Sequence, residues 1–220
     1  MAPTDVISAR AAGAVSINKV LRNTYMLLGM TLAFSALMAG VSMAMGAPYL
    51  GPIVTLVGFF GLIFAVHKTA DSSLGLLFTF LLTGFMGFTI GPIINAYLSL
   101  ANGPSLVTSA LGTTAAAFVG LSAFAVITRK DFSFLSGFLV VGFFVLMGAV
   151  VLSLFFDLSA FSVAISSAFV LFASAAILWQ TSAIIHGGET NYIIATVTLF
   201  ASFYNLFVSL LHIFGVMGDD

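Results

Sequence analysis

The sequence predicts an all-α membrane protein, a bundle of seven transmembrane helices with the C-terminal helix at its centre. Charged residues make up 6 % of the chain and hydrophobic residues 61 %, whereas a water-soluble domain carries about 25 % charged residues. The apolar residues form runs close to the roughly 20 residues that a helix needs to cross a bilayer. Each run is continuously apolar, which favours helices over the alternating strands of about ten residues found in membrane barrels.

Seven apolar runs follow one another along the chain, and polar or helix-breaking residues separate them. Pro48 and Pro104 mark turns after the first and third runs, and Gly187-Gly188 marks the turn before the last. Charged residues supply the remaining boundaries. The predicted spans are Thr24–Met45, Tyr49–Val66, Leu74–Leu98, Ser105–Ile127, Phe132–Phe155, Ala160–Ile185 and Tyr192–Phe214.

The basic residues predict the orientation, because Lys and Arg stay on the cytoplasmic side of a membrane. In a seven-span arrangement all of them fall on one side: Arg10, Lys19, Arg22, Lys68, Arg129 and Lys130. The opposite loops, near Pro48, Pro104 and Asp157, contain none. We therefore expect a cytoplasmic N-terminus and a periplasmic C-terminus that ends at Asp219-Asp220.

We divide the chain into a cytoplasmic tail (residues 1–20), a transmembrane domain (21–216) and a C-terminal tail (217–220). The N-terminal tail lacks the apolar centre of a signal peptide, and we expect it to be a disordered leader. Its basic residues set the topology and contact anionic lipid.

Composition and motifs argue against several classes of function. The absence of cysteine removes thiol catalysis and thiolate metal sites, and a net charge of −1 gives no reason to expect nucleic acid. The chain has no G-x-S-x-G, no H-E-x-x-H, no P-loop and no pair of carboxylates within a span. We predict neither an enzyme nor a cofactor.

The last span carries a stripe of polar residues on one narrow helical face, because its members are spaced alternately four and three residues apart. Polar atoms that face lipid are costly, so the stripe should face protein or water. Two interpretations stay open: a polar pathway or switching helix, and interhelical hydrogen bonds worth about 0.6 kcal/mol each. The stripe consists of Thr198, Ser202, Asn205, Ser209 and His212.

Gln180 and the following loop are a second polar region. The amide of Gln180 lies within the sixth span and needs partners, which Ser202 or Asn205 could supply. The loop contains His186, Gly187, Gly188 and Glu189. Two ligands are too few for a metal site, so we expect a loop hydrogen bond or a contact with a partner protein.

The third span contains Gly87 and Gly91, spaced for close helix–helix approach, followed by Pro92 and Asn95. Proline removes a backbone hydrogen bond and can kink a helix. This segment is either a tight packing surface around a kink or a hinge.

Five segments together resemble the Bax-inhibitor (TMBIM) family, in its bacterial branch, from about Lys19 to the C-terminus. They are Lys19–Tyr25, Gly91–Asn95, Thr128–Asp131, Ile185–Tyr192 and Tyr204–Leu211. The resemblance implies a seven-helix bundle with the last helix central, located in the bacterial inner membrane. It also implies binding to the membrane AAA protease FtsH, which such a protein modulates by occupying it as a substrate, with the leader as a handle.

The resemblance also implies an alternative function, a leak channel for calcium or another ion. In the family, two aspartates on the sixth and seventh helices close such a channel in response to pH. On the family pattern these positions fall at Gln180 and Ser202, and neither side chain ionises. Calcium prefers carboxylate ligands, and no predicted span contains an acidic residue. The favoured expectation is therefore the regulatory protein.

Overall fold

The computed structural model describes residues 3–218, and for residues 3–16 it describes the backbone alone. A short 3-10 turn, Ser159–Phe161, precedes the sixth helix, and no strand occurs in residues 3–218. All seven helices contain a segment long and apolar enough to span a membrane, which confirms the predicted fold class. The helices are α1 (Pro3–Ala44), α2 (Gly51–Thr69), α3 (Ser73–Leu98), α4 (Gly103–Thr128), α5 (Leu135–Leu152), α6 (Ser162–Ile185) and α7 (Tyr192–Met217).

The fifth span is longer in the prediction than in the structure. It was predicted from Phe132 to Phe155, but α5 begins at Leu135 and ends at Leu152. Phe132 instead packs in the α4–α5 loop, where its side chain is buried and its backbone N–H donates to Ser182 Oγ at 3.0 Å. Hydropathy alone cannot separate an apolar loop residue from an apolar helix residue.

The N-terminal leader also differs from expectation. We predicted a disordered leader, whereas α1 begins at Pro3 and continues without a break into its apolar segment, Ile17–Ala44. Four of residues 9–14 are alanine, the strongest helix former, and extending an existing helix avoids the cost of nucleation. Met1, Ala2, Asp219 and Asp220 lie outside the described residues.

Helix α7 lies at the centre of the bundle, as predicted. It packs against α1, α2, α3, α4 and α6. Its side chains Phe200, Leu206 and Leu211 are each 1 % exposed. Such a helix buries nearly its whole circumference, which leaves the lipid-facing surface to the helices around it.

Helix α5 lies at the edge of the bundle. It packs mainly against α6, and its Phe143 ring also meets Phe60 of α2 at a centroid distance of 6.4 Å. Most of its surface carries exposed apolar side chains such as Phe138, Val141 and Phe144. Because α5 does not reach α7, a space remains between α5 and α7. It lies near Leu152, where α5 ends, and Ser162, where α6 begins.

Three loops meet at one end of the bundle: those between α2 and α3, α4 and α5, and α6 and α7. Hydrogen bonds link Asn191 to Asp71 and Ser182 to Lys130 across these loops. Lys68, Arg129 and Lys130 all lie at this end, which we call the basic end. The other end is called the opposite end.

Candidate functional site

The structure divides the polar stripe of α7 into two parts. In the part nearer the basic end, Thr198 Oγ1 donates to Ile194 O at 3.1 Å, and Ser202 Oγ donates to Thr198 O at 2.8 Å. Both hydroxyls thus bond to the preceding turn of their own helix, as Ser and Thr often do in helices. A role of these two residues in a polar pathway stays a prediction.

The other part of the stripe opens to a cavity. Asn205, Ser209 and His212 line a space of about 570 Å³ at the opposite end. Helix α6 adds Ser162 and Ser166 from the facing side. The spacing of four residues puts these two serines on one face, so two helices direct hydroxyl groups into the same open cavity. The floor is apolar and includes Ile93 and Phe169.

Asp157 in the α5–α6 loop gives this cavity its charge. Its carboxylate accepts a hydrogen bond from the backbone N–H of Ser159 at 3.0 Å, and this bond lowers the pKa of Asp157 below its usual value. The carboxylate is therefore ionised at neutral pH. No Lys or Arg lines the cavity, so a cation is favoured there over an anion.

The cavity does not continue as a polar passage. Asn205 also lines a second space of about 210 Å³, whose other walls include Phe59, Phe143 and Phe172. An ion that passed Asn205 would enter aromatic surroundings, where desolvation is costly. We call the space of about 570 Å³ the outward cavity. Beyond Asn205 it borders apolar, aromatic surroundings that do not favour an ion.

Gln180 lies fully inside the bundle, with 2 % of its surface exposed. Its Nε2 atom has no acceptor among the described residues. The Nε2 atom thus makes neither of the expected bonds, to Ser202 or to Asn205. Asn205 instead lines the two cavities.

Replacing Gln180 with methionine should raise the stability of the protein. An unsatisfied buried donor costs about 1–3 kcal/mol, and methionine fills a similar volume without a polar group. Thermal unfolding in detergent measures the change, with Ile177→Met on the same buried helix as the control. An unfolding temperature below that of the wild type for Gln180→Met, but not for Ile177→Met, would contradict this prediction.

Asn191 organises the three loops at the basic end. Its Oδ1 accepts from the backbone N–H groups of Ile193 at 2.9 Å and Ile194 at 3.3 Å, which caps the first turn of α7. Its Nδ2 donates to Ala70 O at 3.2 Å and to Asp71 Oδ1 at 2.9 Å. One side chain thus starts the central helix and ties it to the α2–α3 loop.

The predicted contact loop, His186–Glu189, is held by hydrogen bonds within this region. Glu189 Oε1 accepts from Asn191 N at 2.7 Å, and the backbone N–H of Gly188 donates to Ala183 O at 2.8 Å. Gly187 has a φ of +76°, a conformation that favours glycine. The loop therefore has a defined shape, and a role in binding a partner stays a prediction.

Ser182 links this loop to the α4–α5 loop. Its hydroxyl donates to Lys130 O at 3.3 Å, and His186 Nδ1 lies 2.9 Å from Ser182 O.

Nearby, the backbone N–H of Ser133 donates to the carboxylate of Asp131 at 2.8 Å and lowers the pKa of Asp131. A cavity of about 330 Å³ separates Asp131 from Glu189. Sequence reasoning missed Ser182 and the capping role of Asn191.

The glycines of the predicted hinge face α1. A Cβ atom at Gly87 would overlap the carbonyl oxygen of Ser35, and one at Gly91 would lie 2.6 Å from Ser42 Oγ. Pro92 lies inside α3, which continues unbroken to Leu98. Asn95 is exposed and lines a separate pocket at the opposite end. The segment therefore packs closely against α1, and a hinge motion stays a prediction.

No group of three or more His, Asp or Glu side chains that could hold a metal ion occurs in the described part of the chain. The site has two parts. One is the face at the basic end, where hydrogen bonds link three loops. The other is the outward cavity, which hydroxyl groups and one carboxylate line.

Comparison with known proteins agrees with this architecture. Residues 17–219 match the model of the family described as inhibitor of apoptosis-promoting Bax1. The chain is 58 % identical to a protein of Pseudomonas aeruginosa, over 97 % of this chain and 96 % of the relative. It is 50 % identical to the Modulator of FtsH protease YccA of Escherichia coli K12, over 94 % of each chain. It is also 43 % identical to a membrane protein of Vibrio cholerae, over 92 % of each chain. The chain therefore belongs to the Bax-inhibitor family.

Proposed function

We propose that this chain is a regulatory protein of the bacterial inner membrane that binds an FtsH-type protease and modulates it by occupying it as a substrate. The observation that carries the proposal is the 50 % identity, over 94 % of each chain, to a protein named as a modulator of FtsH. An identity this high across all seven spans favours conservation of the partner as well as the fold.

The loop face at the basic end supports this proposal. The positive-inside rule puts this end in the cytoplasm, with the C-terminus in the periplasm. The three loops are bonded to one another through Asn191 and Ser182, so they present one fixed surface. A preorganised surface binds a partner without the cost of ordering loops.

Co-purification from native membranes tests the proposal. We expect the tagged chain to recover FtsH after crosslinking, and its half-life in a pulse-chase to lengthen when FtsH is depleted. Deleting residues 2–16 should lengthen the half-life in the same way if the protease grips the leader, while leaving the bundle folded. Thr113→Ala, an exposed change within α4 and away from the three loops, is the control. Failure to recover FtsH together with an unchanged half-life would contradict the proposal.

The outward cavity favours a second candidate function, a weak cation leak. It offers hydroxyl groups, one ionised carboxylate and no Lys or Arg, but beyond Asn205 it borders aromatic surroundings. We expect calcium flux in liposomes to be small and nearly the same at about pH 6 and pH 8, because neither Gln180 nor Ser202 titrates. Gln180→Met should leave it unchanged. A large flux that depends steeply on pH would put this candidate first.

A further inference from the structure

An apolar groove lies between α1 and α4, far from both polar regions. Tyr25 of α1 and Phe118 of α4 meet nearer the basic end, with ring centroids 6.4 Å apart. The groove lies beyond this contact, over part of α7. The groove has a volume of about 390 Å³. Leu32 and Ala36 of α1 form one wall, Leu111 of α4 forms the other, and Phe203 and Phe207 of α7 form the floor. Among its lining residues Ser35 and Tyr204 alone carry polar side chains.

The groove has the length of one lipid leaflet. On α1 it runs from Leu32 to Met43, which corresponds to about 16 Å of helix. Half of a hydrocarbon core of about 30 Å is about 15 Å. Met43 lies near the end of α1 and Leu98 at the end of α3, so the groove extends from the middle of the membrane to the opposite end.

A polar pocket caps the groove at the depth of the lipid headgroups. This pocket, of about 430 Å³, shares Leu98 with the groove and is lined also by Gly46, Asn95 and Ser99. Neither lining contains Lys or Arg. An anionic headgroup would therefore lack a cation to pair with. A zwitterionic headgroup carries its own ammonium group beside the phosphate, so it needs no cation from the protein.

The size of the groove argues against a protein helix as its occupant. A helix about 10 Å wide occupies roughly 1,200 Å³ over 16 Å of its length, about three times the volume of the groove, so a helix could cover the groove but could not enter it. An extended hydrocarbon chain is much narrower. We infer that the groove between α1 and α4 binds one acyl chain of a zwitterionic phospholipid from the leaflet at the opposite end, with its headgroup at Asn95 and Ser99.

Photo-crosslinking of defined lipids tests this inference on the full chain in nanodiscs. The probes are phosphatidylethanolamine and phosphatidylglycerol, each with a photoreactive group in one acyl chain. We expect labelled peptides from Leu32–Met43 and from the α7 floor, with at least fivefold more labelling by phosphatidylethanolamine. Ala36→Trp should reduce this labelling about fivefold by filling the groove. Leu37→Trp is the matched control, because Leu37 is 59 % exposed one position along the same helix.

Leu111→Trp fills the groove from the other wall, so a failure of Ala36→Trp to fold leaves the test intact. Equal labelling of the wild type and the groove-filled variants would overturn the inference, as would equal labelling by both headgroups. A crosslink between two copies of the Ala36→Cys variant through this position would also overturn it, since a second copy would then occupy the groove.

Discussion

Replacing Gly87 with valine should separate α1 from α3 and lower the stability of the protein by about 3 kcal/mol or more. A Cβ atom at this position would overlap the carbonyl oxygen of Ser35 and lie 2.8 Å from its Cα. Backbone atoms cannot move aside as a flexible side chain can, so the two helices must shift apart as units. The α1–α3 interface is the most extensive helix pair in the bundle, and its packing would be lost along much of its length.

The expected result is a fall of about 6–12 °C in the unfolding temperature in detergent, with reduced accumulation in membranes. Gly120→Val is the matched control, because Gly120 lies on an exposed face of α4 with nothing within 4 Å of an added Cβ. If the two variants unfold at the same temperature, Gly87 does not set the distance between α1 and α3.

Replacing Asn191 with alanine should loosen the start of α7 and separate it from the α2–α3 loop. Loss of an N-cap costs about 0.5–2 kcal/mol, and the variant also loses the bonds to Ala70 and Asp71. Hydrogen exchange at Ile193 and Ile194, whose N–H groups Asn191 caps, should speed up about tenfold for each 1.4 kcal/mol lost.

Asn191→Asp separates the two roles of this side chain. An aspartate keeps the cap oxygen but has no donor for Ala70, and its carboxylate would face that of Asp71. We expect normal exchange at Ile193 and faster exchange in the α2–α3 loop. Thr190→Ala, at an exposed neighbouring position, should change neither. If Asn191→Ala leaves exchange at both sites unchanged, Asn191 does not link the loops.

The spans and the central helix could be predicted because lipid imposes one simple rule on the sequence, a long apolar run for every helix. The function of the stripe on α7 could not be predicted from spacing, because the same hydroxyl can bond to its own helix or to a neighbour. Ser202 donates to Thr198 of its own helix, and Gln180 Nε2 has no acceptor among the described residues.

The cavities and the groove depend on which helices fail to touch, and periodicity does not report this. α5 stays away from α7, and α1 and α4 leave a space beside Leu111. These two gaps create the outward cavity and the lipid-facing groove. Asn191 could have been recognised from its position, because asparagine directly before an apolar helix is a typical N-cap. Its second bond, to a loop 120 residues away in the sequence, could not.

The central position of α7 has a consequence for biosynthesis. The ribosome makes this helix after the six that surround it, so Leu199, Phe200 and Leu206 are missing while α1–α6 already lie in the membrane. Until α7 inserts, Thr24 O lacks the hydroxyl of Thr196, and the inner faces of the earlier helices have no common partner. A chain that stops before Tyr192 therefore lacks the one helix that packs against five of the other six. The core of this bundle forms only when its last helix inserts.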